Sequence, residues 1–378
     1  MANLYFRNTG NVNYNVTTNW SATDGGGSVG AIPTSADTVY LTSNSGPCTV
    51  NVASVSNSFI CTAYTNTLTF TSSVSMFGST IILSSGMTIN GTGGLSVQSS
   101  CTITSNGKTI PTLVFLGTSL FFGFTDTCTV TNLQMGTLVG ALYTGGTINV
   151  RGNLNMSSQN TAGSTTPINM IGTGTWNGNA TINNPLTINT TGTTTIGTVS
   201  YANGTLTYTA GNVVTTGSTL YVGANCILNT NGIFWNSINT SGAITLTLTS
   251  PLNANTITPN NTSQVFAGTA GWTTGTLNMN NQVGQSISLT TGNTYTITNS
   301  ITSTGSTSAS HNTIKSATPG AKATLILQQG ATCDIGFVNA TDIDSSLGRT
   351  FWSYKGVLSN TNNWNLLNTN NTTFSTLF

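Results

Sequence analysis

"MTINGTGGLSVQSSCTI", residues 87 to 103, holds three pieces that each run apolar, polar, apolar: Met87-Thr88-Ile89, Leu95-Ser96-Val97 and Cys101-Thr102-Ile103. Period-two alternation marks a strand with one buried face, and the Gly, Asn and Ser between the pieces are turn formers. Strands this short lack the two-residue hairpin loops that join longer antiparallel strands. They suit a chain that turns a corner after every strand and returns above its own start. The same rhythm recurs from about residue 45 to 330, as in "TINV" (147–150), "LTI" (186–188), "LYV" (220–222), "ITLTL" (244–248) and "SISL" (286–289). Three strands per coil imply roughly 20 to 25 residues per coil and on the order of 13 coils. The expected fold is all-β: a single-stranded right-handed parallel β-helix, or solenoid, with a shaft over 45–330 and a cap at each end.

Composition agrees with this reading. Only 3% of the 378 residues are charged, against roughly a quarter in an ordinary globular domain, and 152–314 contains no Asp, Glu, Lys or Arg. In a β-helix each coil lies about 4.8 Å from the next, so a charge would face whatever occupies the same position above and below. Ser, Thr and Asn can hydrogen-bond along such a stack instead. Lys108, Asp126 and Arg151 are exceptions on the expected shaft. A net charge of +1 with 37% hydrophobic and 8% aromatic residues argues against disorder, which goes with high net charge and few apolar residues.

The six cysteines sit in "CTV", "CTA", "CTI", "CTV", "CIL" and "CDI". In five of the six, an aliphatic residue two positions on shares the strand face, so Cys serves as a small inward apolar side chain. There is no CxxC pair, and one His completes no Cys/His metal site. No basic segment followed by an apolar run opens the chain, so no signal peptide is expected. The densest apolar stretch, 113–124, is too short to span a bilayer.

Charges and aromatics gather at the two ends. Residues 1–44 carry Arg7, Trp20, Asp24 and Asp37, and residues 331–378 carry Asp342, Asp344, Arg349, Trp352, Lys355 and Trp364. Open coil ends expose unpaired strand edges and need covering. Cap contacts are therefore expected from Trp20, Asp37, Asp342, Asp344, Arg349, Trp352 and Trp364. "DIDSSLG" (342–348) lacks the ligand set of a Ca²⁺ loop and reads as an Asx-turn network, with Asp342 or Asp344 paired to Arg349.

"NWSATDGGGSVGAIPTSADTVYL" (19–41) and "FVNATDIDSSLGRTFWSYKGVLSNTNNW" (337–364) resemble the flanks of parallel β-helix proteins of tailed bacteriophages, of tail-fibre, tailspike and head-decoration type. Some bacterial surface adhesins have similar flanks. The resemblance covers about 50 residues at the ends, and the middle agrees in pattern only. It implies a virion surface protein made in the host cytoplasm, a homotrimer that contacts other virion proteins and presents itself to the host surface and its glycans. The missing signal peptide speaks against the adhesin version.

Tailspikes often cleave polysaccharide, which takes two carboxyls flanking the scissile bond. This chain has no Glu, and none of its Asp falls between Thr127 and Cys333. No catalytic residue, cofactor or metal site is assigned, and the expectation is a protein that is not an enzyme. "TDGGGSVG" (23–30) has no GK[ST] and reads as a surface loop, not a phosphate cradle. Seven Lys plus Arg over the whole chain supply no basic stripe for nucleic acid. His311 reads as a solvated loop residue. Trp176, Trp235 and Trp272, set among Gly, Asn and Thr, remain as candidates either for surface recognition of glycan or for subunit packing.

Overall fold

The computed structural model describes residues 2–367, apart from 8, 11, 118–120, 137–140, 158–162, 179, 261–262, 281–282 and 304–309. Strands make up 59% of the described residues, in parallel stacked coils that form a β-solenoid. Among the described residues there is no α-helix, and one 3-10 turn spans Thr17–Asn19. The chain divides into two compact units, Met1–Thr195 with Thr209–Val214, and Ile196–Tyr208 with Thr215–Phe378.

In the first unit successive coils build three parallel ladders. One runs through Asn3–Phe6, Thr38–Leu41, Ser58–Cys61, Thr80–Ile82 and Cys101–Thr104. A second runs through Ser54–Ser56, Ser73–Met76 and Gly94–Val97, and a third through Cys48–Val50, Thr67–Phe70 and Thr88–Gly91. The quoted stretch thus supplies one strand to each ladder. Phe121–Met135 supplies all three without a break, because its backbone stays extended around two corners. The expectation of short strands throughout is corrected there: the strand passes from ladder to ladder near Asp126 and Asn132, and neither residue ends it.

The second unit repeats the plan. Val199–Tyr201, Thr219–Val222 and Phe234–Ser241 begin one ladder, which ends in Thr332–Gly336, Phe351–Tyr354 and Trp364–Leu367. Cys226–Asn229, Ile244–Leu248, Gln264–Gly268, Ser286–Leu289, Asn312–Ser316 and Val338–Thr341 form another. The third passes from Leu252–Asn260 and Trp272–Asn278 to the start of Thr294–Ser303, then to Ala323–Leu327 and Ile343–Asp344.

Strand alternation sends every second side chain inward, where like stacks on like. Val39, Phe59, Ile81, Ile103 and Phe124 make one interior row, and Leu220, Ile238, Ile257, Leu277 and Ile301 another; all are buried. The cysteines stand in such rows: Cys48 beside Leu68, Cys101 beside Phe122, Cys226 beside Leu246. Coil-on-coil spacing leaves no room for a side chain at Gly94, where a Cβ would lie 1.8 Å from the Thr112 carbonyl oxygen.

The outward rows carry the hydrogen bonds that the composition implies. Thr104 and Thr125 hydroxyls meet at 2.7 Å, Asn169 donates to Asn149 at 3.1 Å, and Thr276 meets Ser300 at 2.9 Å. Asn153 donates to Asn132 Oδ1 and accepts from both Thr175 N–H and Thr175 Oγ1, tying three coils together. Asp126, the acid that breaks the pattern, lies where the strand register shifts between Phe124 and Thr127. Its carboxylate accepts from Ser105 N–H, Ser105 Oγ and Asn106 N–H, staples for a turn in the neighbouring coil that has left-handed residues at Asn106 and Gly107.

If stacking excludes charge, the Thr104/Thr125 pair reports it. Thr104→Asp and Thr125→Asp alone should each cost less than about 1 kcal/mol. The double variant should lose on the order of 1 kcal/mol beyond their sum, an excess that salt screens. Urea unfolding of the four proteins at low and high ionic strength measures it.

Candidate functional site

The three tryptophans expected on the surface lie inside the coils. Trp176 and Trp235 are 0% exposed and Trp272 is 1% exposed. Trp176 follows Leu154 in an inward row, and Trp272 packs between Phe266 at 5.9 Å and Tyr295 at 5.3 Å. The indole N–H groups of Trp235 and Trp272 are buried with no hydrogen-bond partner among the described residues. Glycan stacking through these residues is therefore corrected to core packing: each ring fills the wide interior of a coil, and the polar neighbours that suggested a surface are its outward-facing strand mates.

At the N-terminal end, Asn3–Phe6 pairs in parallel with Thr38–Leu41 and on its other edge antiparallel with Trp20–Ser21. Trp20 is fully buried, edge-on to Phe6 at 5.2 Å and Tyr14 at 4.8 Å, and its indole donates to Tyr14 O at 2.8 Å. Arg7 donates to Gly26 O and Thr18 O, and Asp24 accepts from Thr42 Oγ1. Asp37 accepts from the Thr34 hydroxyl at 2.6 Å, Thr34 N–H at 3.0 Å and Ala2 N–H at 2.9 Å. The Thr34 hydroxyl bond leads in holding its carboxyl below the usual range.

Toward the C-terminal end, Asp342 accepts from Gly320 N–H at 2.8 Å and from the Asn360 amide. Asp344 forms the expected Asx turn, accepting from Ser346 N–H at 3.0 Å. Both carboxyls sit below their ordinary value, Asp342 chiefly through the Gly320 N–H and Asp344 through the Ser346 N–H; the nearby cation is Lys322. Arg349 donates to the Ala331 carbonyl. Trp364 stacks on Phe351 at 4.4 Å and donates to Ser345 Oγ, whereas Trp352 is half-buried and its backbone N–H meets Cys333 Sγ at 3.5 Å.

Two surface features remain. A shallow groove of about 440 Å³ crosses three successive corners of the second unit and is lined by Thr249, Pro251, Thr269, Gly271, Asn293 and Thr294. Hydroxyls, an amide and backbone offer hydrogen bonds there, with no ionisable group among these residues. The other feature is a corner where the rings of His311, Phe337 and Tyr354 meet at steep angles across successive coils, with centroids 5.7 and 5.6 Å apart. Lys355 Nζ lies 5.0 Å from the Tyr354 ring centre, and His311 Nδ1 is 2.7 Å from Asn339 Oδ1. His311 is thus half-buried and engaged, not a free loop residue. Its partners Phe337 and Asn339 lie well over twenty positions further along the chain, which local sequence patterns do not join; the one local signal of the corner is the density of rings and bases in "FWSYK" (351–355).

Among the described residues no group of three or more His, Cys, Asp or Glu is placed to hold a metal ion, and no helix is long and apolar enough to cross a membrane. Burial pushes the thiols up, to about 12 for Cys101, Cys128 and Cys226 and about 11 for Cys333, so they are poor nucleophiles at neutral pH. Comparison with protein-family models, with curated proteins and with solved structures finds no match to this chain.

Trp235→Ala should cost about 3 to 5 kcal/mol in denaturant unfolding, the loss expected of a core aromatic and far more than a surface ring would give. Stability should also plateau between about pH 5 and 8. Below it, the contribution of Asp37, Asp342 and Asp344, complete above their unfolded value near 4, is lost as pH falls through their lowered folded values. Above it, the buried thiols stay protonated in the fold while the unfolded chain ionises from about 8.5 upward, so stability declines as pH rises toward their folded values. Chemical unfolding across pH, with thiol labelling that stays slow at pH 8 until denaturant is added, tests both limbs.

Proposed function

We propose that this chain is a non-enzymatic structural subunit of a bacteriophage particle, a fibre, spike or capsid-decoration protein that assembles as a homotrimer and takes part in host-surface attachment. The observation that carries the reading is how the acids are used. Five of the six, Asp24, Asp37, Asp126, Asp342 and Asp344, have carboxylate oxygens engaged by hydroxyl, amide or backbone N–H donors. Carboxylates tied up in this way hold turns together, whereas a glycosidase needs two of them free to face a substrate. The outer rows of neutral hydroxyls and amides support the same reading, since a surface with little charge packs against copies of itself without repulsion.

The resemblance of the flanking segments to phage β-helix proteins supplies the particle, and the solenoid fold is compatible with it; fold alone assigns no role. On this reading the protein works by rigidity and adhesion and needs no cofactor. The polysaccharide-degrading alternative would require carboxylates from two subunits to meet.

Two measurements test the proposal. Native mass spectrometry of the purified protein should give three times the chain mass of 38.9 kDa. Gold labelling of an N-terminal tag should decorate the tail or capsid of particles in negative-stain micrographs. A monomer that labels no particle would remove the assignment, and release of reducing sugar from host polysaccharide would favour the enzyme.

A further inference from the structure

The corner built by His311, Phe337, Tyr354 and Lys355 has more chemistry than a turn requires. Phe337 is the single residue between the strands Thr332–Gly336 and Val338–Thr341, and it takes left-handed backbone geometry, φ 54°. Gly and Asn reach that conformation easily, and a bulky aromatic does not. Most of the other non-glycine residues in this conformation are Asn or Asp, so the chain uses the ordinary solution elsewhere. Lys355, at the same corner one coil on, is also left-handed, φ 51°. Two strained residues with large side chains in register mark a place where the side chains, and not the turn, decide the residue type.

What they assemble is specific. Phe337 and Tyr354 stand half-buried with their rings edge to face. Lys355 is exposed beside the Tyr354 ring, His311 closes the other side, and Val357 is 57% exposed next to them. Aromatic faces flanked by an ammonium, an imidazole and an amide match a pyranose ring, which has an apolar C–H face and a rim of hydroxyls.

We propose that this corner is a saccharide-binding ridge, with a sugar held in the angle between the Phe337 and Tyr354 rings and its hydroxyls met by His311 and Lys355. The inference deepens the host-attachment reading and rests on it for the source of the sugar. The ridge binds without cleaving, since none of these residues is a carboxylate.

The test is a glycan array printed with bacterial capsular and lipopolysaccharide-derived saccharides, probed with the wild-type chain, Phe337→Gly, Tyr354→Ala and Lys355→Gln. Glycine accepts φ 54°, so in Phe337→Gly relief of the backbone offsets part of the lost ring contacts, and its melting temperature should fall by only a few degrees. The wild type should bind a subset of the printed glycans. Phe337→Gly and Tyr354→Ala should each weaken that binding by about tenfold, and Lys355→Gln by less. An array silent for the wild type, or variants that bind as it does, overturns the ridge. So does a Phe337→Gly chain that loses its oligomeric state and keeps its glycan binding, for then the ring serves a subunit contact. A chain that labels particles but binds no glycan defeats the ridge alone, and one that binds glycan but labels no particle defeats the particle assignment alone.

Discussion

Everything in this fold answers to the stacking of one coil on the next at hydrogen-bond spacing. Each outward side chain has a neighbour in the same row one coil away, close enough for the Thr104 and Thr125 hydroxyls to meet at 2.7 Å. A hydroxyl or amide can both donate and accept, so it satisfies a copy of itself; a carboxylate or ammonium cannot. Rows of Thr, Ser and Asn follow from that, as does the absence of ionisable side chains over long stretches. Inside, the same stacking lines up Leu, Ile, Phe and Cys in continuous columns, and the hydrophobic stabilisation comes from those columns.

The constraint also explains how the few charges are spent. Asp126 sits at a register shift, where its row has no regular neighbour, and satisfies turn amides in the neighbouring coil. Asp342 and Asp344 do comparable work on the turns near the last coils. Carboxylates held in this way, with thiols kept protonated by burial, leave a surface with little reactivity. On the proposed function, recognition falls to shape, hydrogen-bonding rows and the rings at the corner of His311, Phe337 and Tyr354. That corner departs from the local rule, and it does so by placing aromatic and basic side chains where Gly or Asn would be easier.

Several elements were legible without coordinates. Leu95, Val97, Cys101 and Ile103 were placed on an inward face by alternation, and all are buried. The Asx turn at Asp344 follows from an acid two residues ahead of a serine N–H. Other elements were not legible. In "TAGWTTG" the Trp opens its strand between a Gly and a Thr, with no large apolar residue two positions away to mark the buried face; Trp272 faces in and its immediate neighbours do not. The unbroken strand Phe121–Met135 hid its corners for a different reason: the backbone stays extended past Asp126 and Asn132, where turn residues would be expected to break it.

Local alternation, turn residues and the avoidance of charge were enough to establish a parallel β-solenoid, because each of these is a property of a few consecutive residues repeated many times. Which residues share a row is a different kind of fact. His311 meets Phe337, and Phe337 meets Tyr354, because coils of unequal length bring them to one corner. A change of one residue in any coil would send a side chain to the opposite face or to another row. Register of that sort is settled by packing around the whole turn, and so the partners of Asp126, the burial of the tryptophans and the aromatic corner emerge from the three-dimensional structure alone.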